Sequence, residues 1–283
     1  MNPRSTPDAI ELELKFGVRD VGVSHVEAAL PAALKPLHTR WLQNTYFDTV
    51  AGDLHRMGIA IRTRTVDSDH EMTVKIREPD EGGLSRRQEW NLPISQAALD
   101  VQQLQQLPLP QNVHALIQDQ ALQPVFINQF HRTDWQVCTA STELMLSLDL
   151  GFVMADEVRS PVSELELELV QGSVDALVQF GCELASHLPS YLAVISKAER
   201  GEWLLRGGSP LDDPDPKDRL SWLARLSRML DPLAGPNPSE AVRALTACQD
   251  MAAIAQFSEP LAAGQVPLGL APWMVEFSLQ DPR

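Results

Sequence analysis

The sequence predicts an α+β fold in which a mostly antiparallel sheet of about eight strands closes into a barrel or tunnel, with helices packed outside it. Two observations lead to this prediction. Between residues 10 and 170, eight segments alternate apolar and polar residues with a period of two, which is the pattern of a strand with one buried face. Helical patterns interrupt these segments, and a further helical region follows residue 217.

The predicted elements follow one another along the chain. The strands are Ile10–Val18, Trp41–Asp48, Gly58–Val66, Glu71–Glu78, Ser85–Ile94, Val125–Cys138, Glu143–Val153 and Glu164–Val170. Four helices are predicted between or after them, over Ser24–Leu34, Gln96–Leu107, Val113–Ala121 and Ser173–His187. Gly82 and Gly83 are expected to form a hairpin turn between two strands.

A domain boundary is predicted near Gly207. The segment Gly207–Lys217 has Gly, Pro or Asp at nearly every position, which is typical of a linker. We therefore expect a tunnel domain over 8–205, a linker over 206–216 and a C-terminal helical appendage over 217–283. The appendage is predicted to contain the helices Lys217–Leu230 and Ser239–Phe257, followed by a tail punctuated by Pro and Gly.

Composition argues against several classes of function. The 283 residues carry a formal net charge of −15 at pH 7, with a pI of about 4.8. A surface this acidic repels nucleic acid and anionic membranes, so we expect neither as a partner. The three cysteines form no CxxC pair, which favours reduced thiols over disulfides or a zinc site. The sequence contains no GxSxG or GxxxxGK[ST] motif of serine hydrolases or P-loop proteins.

Hydropathy predicts a cytoplasmic protein. Residues 1–9 are polar and lack the apolar stretch of a signal peptide. No apolar run reaches the roughly 20 residues that a membrane span requires. The sequence leaves the oligomeric state open.

The polar faces of the first and last predicted strands carry ordered charges. Glu11, Glu13 and Lys15 share one face of the first strand, and the last strand presents a row of three glutamates, Glu164, Glu166 and Glu168. Residues two apart on a strand are about 6.6 Å from each other, so these groups line up on one wall. Glutamates in such a row repel one another unless basic side chains or a divalent metal ion lie between them.

The remaining strands supply mainly positive charge. Together with the first and last strands, they give seven basic and seven acidic candidate residues. The basic residues are Lys15, Arg62, Arg64, Lys75, Arg87, Arg132 and Lys197, and the acidic residues are Glu11, Glu13, Glu89, Asp149, Glu164, Glu166 and Glu168. Taken singly, each segment also fits a solvated outer face. The recurrence of the pattern on six or more strands, each with an apolar opposite face, favours a shared charged interior.

A charged interior of this kind suits the hydrolysis of short phosphate chains. Arginine and lysine contact phosphate oxygens, arginine through bidentate hydrogen bonds. Carboxylates would hold Mg²⁺ or Mn²⁺, which bridges the phosphates and activates a water molecule. Phosphoryl transfer requires mainly positioning and charge neutralisation, which this division of residues provides.

Several motifs then resemble a known family. They are ExExK at Glu11–Lys15, NTYFDT, MGIAIRTR, TVKIR, RRQEW, FHRTDW, LDLG, ELELEL and SKAERG. In this order, over roughly residues 8 to 205, they resemble a CYTH domain, the fold of the triphosphate tunnel metalloenzymes. Within that family the chain is most similar to the bacterial inorganic triphosphatases.

The resemblance implies an eight-stranded antiparallel tunnel and a role for each charged residue. It implies that Lys15, Arg62, Arg64, Lys75, Arg87 and Arg132 bind triphosphate. It implies that Glu11, Glu13, Asp149, Glu164, Glu166 and Glu168 hold metal ions or orient the attacking water. Lys197 is implied to act on the phosphate or the nucleophile, with Glu11 and Glu13 as further catalytic residues. Glu89 is expected to orient a neighbouring arginine.

The expected function is hydrolysis of inorganic triphosphate to diphosphate and phosphate, with Mg²⁺ or Mn²⁺ as cofactor. Class IV adenylate cyclase and thiamine or nucleoside triphosphatase are alternatives on the same fold. A non-catalytic module that binds polyphosphate or nucleotides is a fourth possibility. Related triphosphatases carry a large helical CHAD domain after the tunnel, and the residues after 216 are too few for a whole one, so we expect a truncated or divergent version.

Overall fold

In the computed structural model, residues 9–77, 85–139, 141–207, 219–232 and 237–280 are described. The strands are β1 (Ala9–Val18), β2 (His38–Asp48), β3 (Ile59–Val66), β4 (Asp69–Arg77), β5 (Ser85–Ile94), β6 (Gln123–Cys138), β7 (Glu143–Ala155), β8 (Val158–Gln171) and β9 (Ser190–Leu192). The predicted turn at Gly82 and Gly83, and the predicted linker from residue 208 onward, lie outside the described residues.

The strands form one sheet that closes on itself. Their order is β5-β4-β3-β2-β6-β7-β8-β1-β9, and β5 also pairs with β1, which completes a circle of eight strands. Each pairing in this circle is antiparallel. The short strand β9 pairs with the end of β1 that β5 leaves free, at Phe16–Val18. The predicted antiparallel tunnel is therefore confirmed, and β9 is an addition that periodicity did not reveal.

Strand boundaries agree with the prediction to within three residues, except at β8. This strand begins at Val158 rather than at Glu164, because β7 and β8 form a hairpin whose pairing starts at Ala155 and Val158. Asp156 in the turn has a φ of 50°, a left-handed conformation that Asp tolerates better than most residues. Pro161 interrupts the alternation of side-chain types in the first half of the strand, which concealed it in the sequence.

Helices lie outside the barrel and at its ends. They are α1 (Val23–Ala29), α2 (Asp53–Arg56), α3 (Val101–Leu104), α4 (Gln111–Asp119), α5 (Val174–Ser186), α6 (Lys197–Arg206), α7 (Arg219–Leu230), α8 (Pro238–Ala247), α9 (Met251–Ala262) and α10 (Leu270–Gln280). The predicted helix Gln96–Leu107 is reduced to α3. Helices α2, α6 and α10 were not predicted.

The prediction of one continuous helix over Ser239–Phe257 is wrong. The chain leaves α8 at Cys248, and Gln249 adopts a φ of 61°. Asp250 then begins α9 by accepting hydrogen bonds from the backbone N–H groups of Ala252 and Ala253. An aspartate at this position satisfies N–H groups that the new helix leaves unpaired, so the apolar pattern continues while the backbone breaks.

The apolar strand faces point away from the tunnel. Leu14 and Phe16 of β1 are buried in a cluster with α5, and the outer faces of β3, β4 and β5 pack against α3 and α4. Because side chains alternate between the two faces of a strand, the charged residues between these apolar positions face the interior.

The C-terminal helices pack directly on the barrel. Helix α10 contacts α5 and β9, and α7 also contacts β9. Leu226 and Met274 are both 0% exposed and belong to the same apolar cluster as Leu14. The predicted appendage and the tunnel domain thus share one continuous core. Among the described helices, none combines the length and hydrophobicity that a membrane span requires.

Candidate active site

The interior of the barrel holds a cavity of about 320 Å³. Many of the residues selected from the sequence line it: Glu13, Lys15, Arg62, Arg64, Lys75, Arg87, Glu89, Arg132, Glu166, Glu168 and Lys197. Strand periodicity predicted that these side chains converge, and this convergence is confirmed. Their individual roles remain predictions.

Three predicted site residues, Asp149, Glu164 and Glu11, are not among the residues found to line the cavity. Asp149 and Glu164 are 0% and 1% exposed. Glu11 lies on β1 opposite Arg87 in the β1–β5 register, and its side chain is outside the described residues. Periodicity correctly placed Asp149 and Glu164 on the inner face but did not indicate how deeply they are buried.

The circle of strands places the two charged walls opposite each other. Strand β3 is four strands away from β8 in either direction around the barrel. Arg62 and Arg64 of β3 therefore face Glu166 and Glu168 of β8 across the cavity. We call Arg62, Arg64 and the neighbouring Lys75 the basic wall, and Glu13, Glu166 and Glu168 the acidic wall.

Positive charge is crowded at the basic wall. Burial, together with the nearby Arg62 and Arg132, lowers the pKa of Arg64 to about 9. The Arg64 guanidinium stays protonated at neutral pH, held by a hydrogen bond of 2.8 Å from its Nε to Oδ1 of Asn44. Cations crowded together in a cavity form a site suited to an anion.

The acidic wall is interleaved with basic side chains. Lys15 Nζ lies between Glu13 and Glu166, 3.4 Å from an oxygen of each. Arg87 donates a hydrogen bond of 3.0 Å to Glu13, and Arg132 donates to Glu166. Burial alone would raise the pKa of Glu166, but Lys197, Lys15 and Arg132 outweigh it and hold that pKa well below its usual range.

Lys197 is the first residue of α6, whose N-terminus reaches the cavity. Its Nζ lies 2.8 Å from oxygens of Asp149, Glu164 and Glu166. Burial favours the neutral amine, yet these three carboxylates raise the pKa of Lys197 well above its usual value. Helix α6 can approach the barrel because residue 201 is glycine, where a Cβ would lie 2.2 Å from the Phe126 ring. The geometry fixes Lys197 as a buried cation.

Comparison with known proteins identifies the fold family. A family model described as the CYTH domain matches residues 9–201. The chain belongs to the CYTH domain family. The inorganic triphosphatase of Haemophilus influenzae (strain ATCC 51907 / DSM 11121 / KW20 / Rd) is 30% identical over 194 residues, which are 68% of this chain and 54% of that protein. The chain therefore spans about half the length of this curated relative.

Solved structures similar to this CYTH protein include two with triphosphatase in their descriptions. A Hippeastrum protein, HpAC1, studied as an adenylyl cyclase and described as having a dominant triphosphatase activity, is 18% identical, with a TM-score of 0.45 over 72% of this chain and 100% of that chain. The inorganic triphosphatase NE1496 is 19% identical, with a TM-score of 0.25 over 61% of this chain and 80% of that chain. Both TM-scores are below 0.5, so the family assignment rests on the sequence match.

Several residues of this CYTH tunnel were not selected from the sequence. Tyr46 lines the cavity beside Arg62, and Arg77 forms an ion pair of 2.8 Å with Glu199. Arg77 shares a face with Lys75, so the alternation that revealed Lys75 also indicates Arg77. Glu199 had no comparable signal, because its orientation depends on α6, where its carboxylate also accepts hydrogen bonds from Ser196.

The acidic wall has the chemistry of a divalent-metal site. Carboxylate oxygens are the donors that Mg²⁺ and Mn²⁺ prefer. In the part of the chain that the structure describes, no three His, Cys, Asp or Glu side chains are already arranged around a common metal position. Lys15 instead occupies the space between Glu13 and Glu166. The residues fit a metal ion provided that Lys15 turns away from these two carboxylates.

The ion pair between Glu89 and Lys75 predicts a pH-dependent loss of stability. The two groups lie 3.0 Å apart, and although burial opposes it, the effect of Lys75 and Arg62 lowers the pKa of Glu89 from 4.5 to about 2. The stabilisation is therefore present above about pH 4.5 and is lost as the pH falls toward 2. We expect it to contribute about 3 kcal/mol to the free energy of unfolding.

Urea unfolding at a series of pH values measures this contribution. Glu89→Gln should remove it, so that the free energy of unfolding falls less between pH 5 and pH 2 than in the wild type. Glu183→Gln, at an exposed position on α5, is the matched control and should retain the full fall. Parallel curves for the wild type and Glu89→Gln would contradict the assigned ion pair.

Proposed function

We propose that this CYTH chain hydrolyses inorganic triphosphate to diphosphate and phosphate in its tunnel, with Mg²⁺ or Mn²⁺ bound at the acidic wall. The observation that carries the proposal is the pair of opposed walls, in which Arg62 and Arg64 face Glu166 and Glu168 across one cavity. A linear chain of phosphates with bound metal ions is complementary to both walls at once. The 30% identity to an inorganic triphosphatase supports the same conclusion.

The basic residues would bind and align the substrate. Triphosphate carries several negative charges, and each guanidinium can donate two parallel hydrogen bonds to phosphate oxygens. The proposed substrate ligands are Lys15, Arg62, Arg64, Lys75, Arg87 and Arg132, all of which line the cavity. Because they come from five different strands of a closed barrel, the positions of their backbones are fixed before the substrate arrives.

The acidic residues would hold the metal ions. The proposed ligands are Glu11, Glu13, Glu166 and Glu168. When bound, Mg²⁺ or Mn²⁺ would neutralise phosphate charge and lower the pKa of a water molecule. Lys15, now placed between Glu13 and Glu166, would turn toward the phosphates.

Asp149 and Glu164 are proposed to hold Lys197 rather than a metal ion. Both carboxylates are buried, and each contacts Lys197 and one arginine. Lys197, surrounded by three carboxylates, is a protonated cation that would neutralise charge on the reacting phosphate. It is not suited to accept a proton. The proton of the attacking water would therefore pass to a carboxylate of the acidic wall, for which Glu13 and Glu11 are the proposed groups.

A substrate panel tests this proposal. Purified protein would be incubated with triphosphate, ATP or thiamine triphosphate, with Mg²⁺ or Mn²⁺, and the products separated by chromatography. We expect phosphate and diphosphate from triphosphate at a higher rate than hydrolysis of the other two. Cyclic AMP from ATP would instead identify a cyclase, and triphosphate binding without turnover from pH 6 to 10 would identify a binding module. The net charge of −15 leads us to propose that neither nucleic acid nor an anionic membrane is a partner. A cytoplasmic location stays a prediction.

A further inference from the structure

A buried ion pair joins the C-terminal helices to the tunnel. Asp231 directly follows α7, and Arg200 lies on α6; both side chains are 2% exposed. Arg200 Nη1 donates to Asp231 Oδ1 at 2.5 Å, and Nη2 donates to Oδ2 at 2.7 Å. This bidentate arrangement fixes both the distance and the orientation of the guanidinium.

The contact continues from Arg200 to Lys197. Arg200 Nη2 also lies 3.4 Å from Oε1 of Glu164. The other oxygen of Glu164, Oε2, accepts a hydrogen bond of 2.8 Å from Lys197 Nζ. Asp231 is therefore connected to the cavity-lining lysine through two intermediate side chains, Arg200 and Glu164, both of them buried.

A second hydrogen bond attaches α7 to the same segment. Ser227 Oγ accepts from the backbone N–H of Val194 at 3.2 Å, three residues before Lys197. Ser227 and Asp231 are four residues apart, so they lie on the same side of the helix end. The segment from Val194 to Arg200, which carries Lys197 into the tunnel, is thus held by α7 at two points.

We propose that Asp231 is a positioning residue for the tunnel: by fixing Arg200, it sets the place of Glu164 and so of Lys197. The inference rests on the proposed function, in which Lys197 neutralises the reacting phosphate. Through Asp231, the C-terminal helices would contribute to the geometry of the active site. The basic wall lies on β3 and β4, outside this set of contacts, so Asp231 should affect the chemical step more than substrate binding.

The first test is the steady-state kinetics of Asp231→Asn with triphosphate and Mn²⁺. A small displacement of a group that acts on the transition state lowers the rate by about 10- to 100-fold. We expect kcat to fall by this factor, while KM changes by less than about threefold because the basic wall is intact. Loss of kcat alone could also follow from poor folding, so a second variant is needed.

The double variant Arg200→Met/Asp231→Leu removes both charges. Replacing a buried ion pair with apolar residues of similar size is commonly tolerated, whereas removing one partner leaves an uncompensated charge. Thermal unfolding would establish that the double variant is folded. If the pair positions Lys197, kcat stays low in this folded variant. If the pair only stabilises the fold, kcat returns to the wild-type value, and the proposal is overturned.

A matched control is available within the C-terminal helices. Arg225 and Glu240 form a largely buried ion pair of 2.7 Å that joins α7 to α8. The variant Arg225→Met/Glu240→Leu should keep wild-type kcat and KM, because the contacts that connect Asp231 to Lys197 pass through Arg200 and Glu164 and include neither residue of this pair. An equal fall in kcat in this control would mean that any disturbance of α7 lowers activity, and would overturn the specific role of Asp231.

The outcomes also separate this inference from the proposed function. If the wild type hydrolyses triphosphate and the Asp231 variants match it, only the inference fails. If the wild type binds triphosphate in calorimetry but does not hydrolyse it, the proposed hydrolysis fails, and the kinetic role of Asp231 fails with it. If the wild type neither binds nor hydrolyses triphosphate, the proposed function fails and the inference with it.

Discussion

Glu166→Gln should reduce phosphate release from triphosphate by about a hundredfold or more at saturating Mg²⁺ or Mn²⁺. Glu166 lines the cavity at the centre of the acidic wall, in contact with Lys15, Arg132 and Lys197. The amide keeps the size of the carboxylate but loses its negative charge, so it binds a divalent cation poorly and leaves these basic side chains in excess. The expected loss should appear in kcat and in the metal concentration required for half-maximal activity.

Metal titration of the initial rate measures both quantities. Glu183→Gln, on the exposed surface of α5, makes the same chemical change outside the tunnel and should behave as the wild type. Circular dichroism would establish that Glu166→Gln is folded. A folded Glu166→Gln protein with wild-type rates and wild-type metal dependence would exclude the acidic wall as the metal site.

Arg64→Met should raise KM for triphosphate by about 10- to 100-fold, which corresponds to the loss of one or two hydrogen bonds to a charged group. The same change should leave the melting temperature of the ligand-free protein unchanged or higher. Arg64 is crowded by Arg62 and Arg132, and burial together with these neighbours lowers its pKa to about 9. Removing its charge relieves that repulsion, so substrate binding and stability should change in opposite directions.

Steady-state kinetics and thermal unfolding test the two halves of this prediction. Addition of triphosphate should raise the melting temperature of the wild type and raise that of Arg64→Met much less. Arg159→Met is the control, because Arg159 is exposed on β8 and lies over the Phe152 ring rather than in the cavity. A large fall in melting temperature with an unchanged KM would show that Arg64 supports the fold and does not bind the substrate.

Most of the barrel was predictable because strand periodicity is local. Alternation in segments such as Ile59–Val66 fixes which residues share a face, and the apolar face must be covered. Once the sheet is closed, the remaining face has only the interior available, so Arg62 and Arg64 are brought to the same cavity as Glu166. The sequence therefore predicts the composition of the cavity wall.

How deeply each charged side chain is buried, and which distant residues it contacts, were not predictable in the same way. Glu164 and Glu166 have the same position in the alternation, yet Glu164 is buried against Arg200 while Glu166 lines the cavity. The difference depends on α6, a helix that the sequence did not reveal, and on Asp231, which lies in the region of the chain that the sequence analysis assigned to a separate appendage. The sequence predicted a helix over Lys217–Leu230, but not that α7 packs into the same apolar core as the barrel.

The most direct measurement is a crystal structure of the protein with triphosphate and Mn²⁺, using the anomalous signal of manganese to locate the metal. The expected result is triphosphate along Arg62, Arg64 and Lys75, with manganese bound between Glu13 and Glu166 and the Lys15 ammonium turned toward the phosphates. Triphosphate and manganese bound together on the outside of the barrel, with the ion pairs of the interior undisturbed, would contradict the tunnel as the active site.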